Sequence, residues 1–350
     1  EKKLFFVVFF ILALGLLYYL LFLPNTTEQI GFEVEVLVEG LDTPWAIDFL
    51  PHGALIFTER KGIVSLFENG VTTKIATLPV SEVSESGLLG LVVDPDFLST
   101  PFIYVYYTYD QEGTLFNKVS RFTFEGGLSN EETLLDKIPS ARFHNGGRLK
   151  FGPDKKLYIT TGDATNPSSS QELDSLAGKI LRMNKDGSIP VDNPFENYVY
   201  SYGHRNPQGI TWHPETEELY ASEHGPRRND EVNLIEKGKN YGWPFECSEQ
   251  PDTTISPLRC YTEFTLAPAG LAFYKERLYV TGLRGTQLRR LTLGSDLRLV
   301  EKEEALFTEV GRIREVLEHE DWLYFATNNR DGRGIPRLGD DKIIRIRTGN

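Results

Sequence analysis

The sequence predicts an all-β chain, a six-bladed β-propeller of four-stranded antiparallel blades, preceded by one N-terminal apolar helix. Three observations predict it. A hairpin-like unit recurs six times, further runs of strand length lie between the copies, and no long amphipathic helix interrupts residues 31–350. Each unit is a short β-like run, a turn, a second run rich in Tyr, Phe, Leu and Ile, then polar or glycine residues.

The copies begin at Ala46 (AIDFLPHGALIFTE), Gly90 (GLVVDPDFLSTPFIYVYYT), Gly147 (GRLKFGPDKKLYITTGD), Gly209 (GITWHPETEELYASEHG), Gly270 (GLAFYKERLYVTGLRG) and Ile313 (IREVLEHEDWLYFATNNRDG). Both runs of each copy are of strand length, bounded by Pro, Gly and Asp turn signals. Residues 62–68 (GIVSLFE), 118–124 (KVSRFTF) and 179–184 (KILRMN) supply further strands. Four strands per unit is the economy of a propeller blade. A large β-sandwich would not repeat one hairpin six times. FEVEVLV at 32–38 and KIIRIR at 342–347 are placed to pair and close the ring, which removes the exposed sheet edges. Residues 166–170 (NPSSS) and 247–260 read as long surface loops.

The N-terminus is different. Residues 4–23, LFFVVFFILALGLLYYLLFL, run twenty positions without a charge, behind Lys2 and Lys3. As a helix they rise about 30 Å, one bilayer core. That length favours an uncleaved signal anchor over a cleaved signal, whose apolar region is shorter. The two lysines put the rest of the chain outside the cytoplasm. The division is therefore 1–30 as anchor and linker and 31–350 as one catalytic domain. Secretion after cleavage is the alternative.

Composition narrows the function classes. The 350-residue chain carries a net charge of −13 and no basic run, so nucleic acid is not an expected partner. A mean hydropathy of −0.30 excludes a multispan membrane protein. Cys247 and Cys260 lack CxxC spacing, and in an oxidising compartment a loop-pinning disulfide suits them better than a metal or redox pair. Phosphate-loop, dinucleotide, zinc-protease and nucleophile-elbow motifs are absent.

In a four-stranded meander, the segment leading into the first strand and the loop after the second share one face. The leading segments carry Glu85, His144, His204-Arg205-Asn206, Arg312 and Arg314. The exits carry Gly162-Asp163, Glu223-His224-Gly225-Pro226, Arg284 and Asn328-Asn329-Arg330. These groups should converge on one mouth of the central channel. His144 with Asp163 is a candidate imidazole base and its orienting carboxylate, although alone each is more often a turn or packing residue. Arg205, Arg284, Arg312 and Arg314 on one rim of an acidic protein ask for an anion, because guanidinium forks suit carboxylate or phosphate.

SESGLLG, FHNGGRL, LYITTGDA, GHRNPQG, SEHGPRRNDEVN, KNYGWP, GLRG and GRIRE occur in this order. The set resembles the soluble-type pyrroloquinoline-quinone (PQQ)-dependent glucose and aldose sugar dehydrogenases, over roughly residues 31–350. The resemblance implies a propeller with PQQ and Ca2+ at the channel mouth, oxidising the anomeric hydroxyl of an aldose to a lactone. It implies His144 as general base, Asp163 as its partner, and Arg205 polarising the quinone carbonyl where negative charge develops. Glu85, Asn206, Arg284, Arg312 and Arg314 match cofactor-site positions. The carbonyls of Gly225 and Pro226 match ligands of the cofactor-bound Ca2+, and Glu231 with the Tyr241 carbonyl matches a structural Ca2+ site. Arg284 stands where the family often has Lys, Glu85 where some members have Gln, and Phe143 where glucose-oxidising members can have Asp. The last two departures point to a broader aldose range. No haem or second redox motif is present, so electrons should leave to an external acceptor, such as a carrier in the membrane. Two rivals are a Ca2+-dependent propeller lactonase, which needs axial carboxylates, and a binding propeller without chemistry, which would not retain His144, Asp163 and Arg205 together.

Overall fold

The computed structural model describes residues 31–348. The predicted N-terminal helix lies in 1–30, outside the described residues. Among those described, no helix is long and apolar enough to cross a membrane.

Twenty-four strands form six four-stranded antiparallel sheets. Blades one to five use consecutive strands, spanning 44–77, 88–139, 149–202, 207–261 and 268–306. The sixth takes Ile313–His319, Trp322–Thr327 and Ile343–Thr348, and completes itself with Phe32–Val38. In that closure Phe32 pairs with Thr348 and Val38 with Ile343. The six predicted hairpins are the first two strands of each blade, and the expected ring closure is present. The 62–68, 118–124 and 179–184 runs appear as Ile63–Glu68, Thr114–Phe124 and Lys179–Met183.

Burial dictates the pattern. The second strands LIFTE, LYITT and LYASE are buried along their whole length, because blades pack on both faces. Outer strands such as VTTKIAT are largely exposed. Innermost strands converge on the axis, where only glycine fits at the closest points. A Cβ on Gly90 would lie 2.1 Å from the Gly147 carbonyl oxygen, and one on Gly209 would lie 2.1 Å from that of Ala269.

One predicted loop differs. Residues Pro167–Gln171 form a 3₁₀ turn rather than a free surface loop. Two of its carbonyls are tied down by the buried Lys179 ammonium, which donates to Ser169 (2.8 Å) and Ser170 (3.0 Å) and also to Ala177 beyond the turn (2.7 Å). The 247–260 segment is pinned by the Cys247–Cys260 disulfide, as its spacing suggested.

Away from the mouth, the channel holds a cavity of about 230 Å³ whose lining includes Asp48, Arg148, Lys150 and Glu315. Burial pushes the Asp48 carboxyl up to about 6, against two backbone N–H donors, Val93 and Phe49, and the Lys150 charge. An unfolded Asp titrates at about 3.9, so between about pH 4 and 6 the folded chain keeps a proton that the unfolded chain has lost. Stability therefore falls as pH rises through this window, by about 2–3 kcal/mol from this group. Asp48→Asn should flatten that fall in thermal melts taken from pH 4 to 7, and an unchanged pH slope would contradict the assignment.

Candidate active site

Segments leading into the innermost strands meet the exits of the second strands at one mouth, as the meander geometry requires. His144 is held there in an unusual backbone conformation, φ 60°. Gly162 makes this possible, since a Cβ there would lie 1.9 Å from the His144 carbonyl oxygen. The His144 N–H donates to Glu85 Oε2 (3.1 Å). Its ring Nδ1 lies 2.7 Å from Asp163 Oδ1. This leaves Nε2 as the nitrogen that can take a proton from a ligand.

Asp163 is fully buried and saturated with donors. Oδ1 also accepts the Thr165 N–H (2.8 Å), and Oδ2 accepts the indole N–H of Trp243 (2.8 Å). The Trp243 ring also packs against the Arg205 guanidinium, 5.3 Å from its centroid. Trp243 is itself fixed by the 3₁₀ turn, its carbonyl accepting from Ser170 Oγ and Gln171 Nε2. One indole thus touches both the histidine's carboxylate partner and the nearest arginine. Nothing in KNYGWP marks that role, because the contact joins positions 80 residues apart.

Arg205 donates its N–H to Glu223 and Nη1 to the His224 carbonyl (3.1 Å), while its buried Nε has no protein partner. Asn206 uses Oδ1 to hold the Gly146 N–H (3.0 Å), leaving Nδ2 unpartnered. Burial pushes the His224 imidazole down to about 3, helped by Arg314, Arg205 and His144 and opposed by Glu85, so this histidine is neutral. Its Nε2 is also without a partner.

A cleft of about 540 Å³ opens beside these groups. Its lining includes His224, Arg227, Arg284, Arg312 and Arg333, and no carboxylate. Arg284 and Arg312 were expected there; Arg227 and Arg333 were not. Arg312 is held by Asp331 through Nε (3.0 Å) and Nη2 (2.6 Å). Arg314 sits deeper, bonded to Gln208 and facing the Trp45 ring, outside the cleft wall. Glu85 spans the mouth, meeting Arg333 of blade six at 2.6 Å. The cleft therefore presents four guanidinium groups and the unpartnered His224 Nε2, which suits an anionic ligand.

A smaller void, about 10 Å³, lies among Arg205, Glu223, Gly225, Pro226, Glu231 and Tyr241. Glu231 is buried beside Glu223, its neighbour in strand register. Burial pushes its carboxyl well up, and the Glu223 and Asp230 carboxylates push it further. A buried carboxylate pair in a void of that size fits one cation. Among the described residues no three His, Cys, Asp or Glu side chains converge as a metal cage. A cation beside Glu231 would draw on main-chain oxygens as well, such as that of Tyr241 in the same lining, as hard-ion chemistry allows.

The family described as Glucose / Sorbosone dehydrogenase matches residues 41–338. Aldose sugar dehydrogenase YliI of Escherichia coli K12 is 32% identical over 85% of this chain and 91% of that protein. An oxidoreductase (glucose dehydrogenase) of Thermus thermophilus superimposes with a TM-score of 0.87 at 43% identity, covering 90% of this chain and all of that one. The PQQ-bound Aldose Sugar Dehydrogenase of Streptomyces coelicolor gives a TM-score of 0.85 at 35% identity, over 91% and 98% of the two chains.

Trp243→Phe keeps the ring against Arg205 but removes the donor to buried Asp163. The variant should lose about 1–3 kcal/mol of stability, the cost of a charged buried acceptor left short of a partner. Denaturant unfolding checks this, and an unchanged midpoint with unchanged slope would refute it.

Proposed function

Because the chain belongs to the glucose/sorbosone dehydrogenase family, we propose that it oxidises the anomeric hydroxyl of aldose sugars to the lactone with bound PQQ and Ca2+. The observation that carries this reading is the His144–Asp163 pair (2.7 Å) beside a carboxylate-free cleft lined by four arginines. That cleft suits a tricarboxylate, and Arg227, Arg284, Arg312 and Arg333 would hold it, with the unpartnered Nε2 of His224 in the same lining. The Gly225 and Pro226 carbonyls would hold its Ca2+, and Glu231 with the Tyr241 carbonyl a second cation.

When bound, the quinone supplies a two-electron acceptor for the hydride that leaves the anomeric carbon. The protein's own residues do the rest. His144 Nε2 accepts the hydroxyl proton, while Asp163 fixes the ring's tautomer and balances the imidazolium charge. Arg205, with an uncommitted Nε, stabilises negative charge arising at the cofactor carbonyl. Glu85 and Phe143, at the mouth, face the sugar and support a broad aldose range. Electrons pass to an external acceptor. The apolar stretch 4–23 supports an extracytoplasmic, membrane-tethered location.

Metal-free protein given PQQ and Ca2+ should acquire sugar:dye reductase activity that a chelator removes; failure of PQQ to bind at micromolar levels would overturn the reading. In His144→Ala, cofactor binding should persist while turnover falls by roughly 10²–10⁴-fold. Ca2+ should raise the melting temperature saturably, and Glu231→Gln should abolish one phase of that rise. A calcium response identical in the variant would remove Glu231 from the second site.

A further inference from the structure

The loop 330–339 (RDGRGIPRLG) borders the cationic cleft and is not used by the chemistry above, Arg333 excepted. Ile335 is 87% and Leu338 fully exposed. Isolated exposed aliphatics need no explanation, but these two flank an exposed proline on a loop that is not loose. Its base is clamped: buried Asp341 accepts the N–H groups of Asn329 (2.5 Å), Arg330 (3.2 Å) and Thr43 (3.3 Å). Asn329 Nδ2 donates to Val310 O (2.9 Å) and Asp340 Oδ2 (3.0 Å), and the Arg337 N–H donates to Asp340 Oδ2 (2.8 Å). The apolar tips are thus held out into solvent by a fixed frame.

The loop is also basic in an acidic protein. It carries Arg330, Arg333 and Arg337 against Asp331, whose carboxylate is taken by Arg312. The guanidinium groups of Arg330 and Arg337 donate to the main-chain carbonyls of Asp340 and Glu309, and Arg333 meets the Glu85 carboxylate. Continuous with Arg227 and Arg284 across the cleft, this makes the rim positive in a chain of net charge −13.

We propose that loop 330–339 is the docking surface for a soluble electron-carrier protein with an acidic rim and an apolar centre around its redox group. The inference rests on the redox reading above. Each sugar oxidised leaves two electrons and two protons on the enzyme; two one-electron carriers dock in turn, each is reduced by one electron, and the protons go to solvent. Ile335 and Leu338 supply the desolvated centre, and the arginines steer an acidic partner to the place where electrons emerge. Strand direction places the loop on the mouth side of the sheet: Val38 pairs with Ile343 at the loop's end, and Phe32 with Thr348 at the end remote from it.

The test uses the full chain loaded with PQQ and Ca2+, with an acidic c-type cytochrome, a basic c-type cytochrome and a small phenazine dye as acceptors. The acidic cytochrome should be reduced about tenfold more efficiently than the basic one at low salt, with the advantage shrinking as salt rises. The double variant Ile335→Ser/Leu338→Ser, and separately Arg337→Gln, should cut kcat/KM for the acidic cytochrome about tenfold while leaving dye reduction intact. Equal use of both cytochromes, use of neither, or cytochrome rates unmoved by the variants would overturn the proposal. So would sedimentation with phosphatidylserine vesicles that the double variant abolishes, since that assigns the loop to a bilayer. Loss of dye reduction in the wild-type protein would instead refute the redox reading itself.

Discussion

Everything at the mouth depends on ring closure by the two ends of the described chain. Phe32–Val38 completes the blade whose other strands lie some 300 residues later, and the pairing locks blade six against blade one. Asp341 repeats the lock in side-chain chemistry, binding backbone N–H groups of blade six and of Thr43 at the start of blade one. Without that closure Arg333 could not meet Glu85, 248 positions away in sequence, and the cationic wall would not face His144. Closure also gives the sixth blade its fourth strand, so that Ile343–Thr348 is paired on both sides instead of being left as an edge.

Within the ring, charge is sorted by depth. Buried carboxylates are used where they hold donors in place. Asp163 fixes the His144 ring and the Trp243 indole, and Glu223 fixes His204 (2.8 Å) and the Arg205 backbone. Arginines line the open cleft, and Asp331 behind them is committed to Arg312. An acidic exterior and a positive mouth are therefore compatible, since screening confines the outer charge to about 8–10 Å while the cleft walls keep the inner field local.

Much of this was legible in the residues. The repeated hairpin forecasts the blades because strand period and turn chemistry are local properties. The closing pair follows from the strand-like runs FEVEVLV and KIIRIR at the two ends of the propeller region. His144, Asp163, Arg205 and Arg312 could be placed on one face because blade topology converts sequence position into height on the ring. What stayed hidden was contact between loops. Trp243, Arg227, Asp331 and Arg333 look like ordinary loop residues, and their meaning arises only when distant segments are folded side by side. The NPSSS stretch reads as a long surface loop by composition, yet Lys179, buried beneath it, binds two of its carbonyls and gives it a fixed shape. A lysine in a strand-like run carries no local sign that its ammonium will point inward.

The direction of the closing strand bears on where electrons go. A seven-residue strand spans about 23 Å, so Phe32 and the mouth lie on opposite faces of the disc. A carrier docking as proposed at the basic loop and its two exposed aliphatics would therefore approach the face that carries the His144–Asp163 pair, opposite the end of the sheet where the described chain begins.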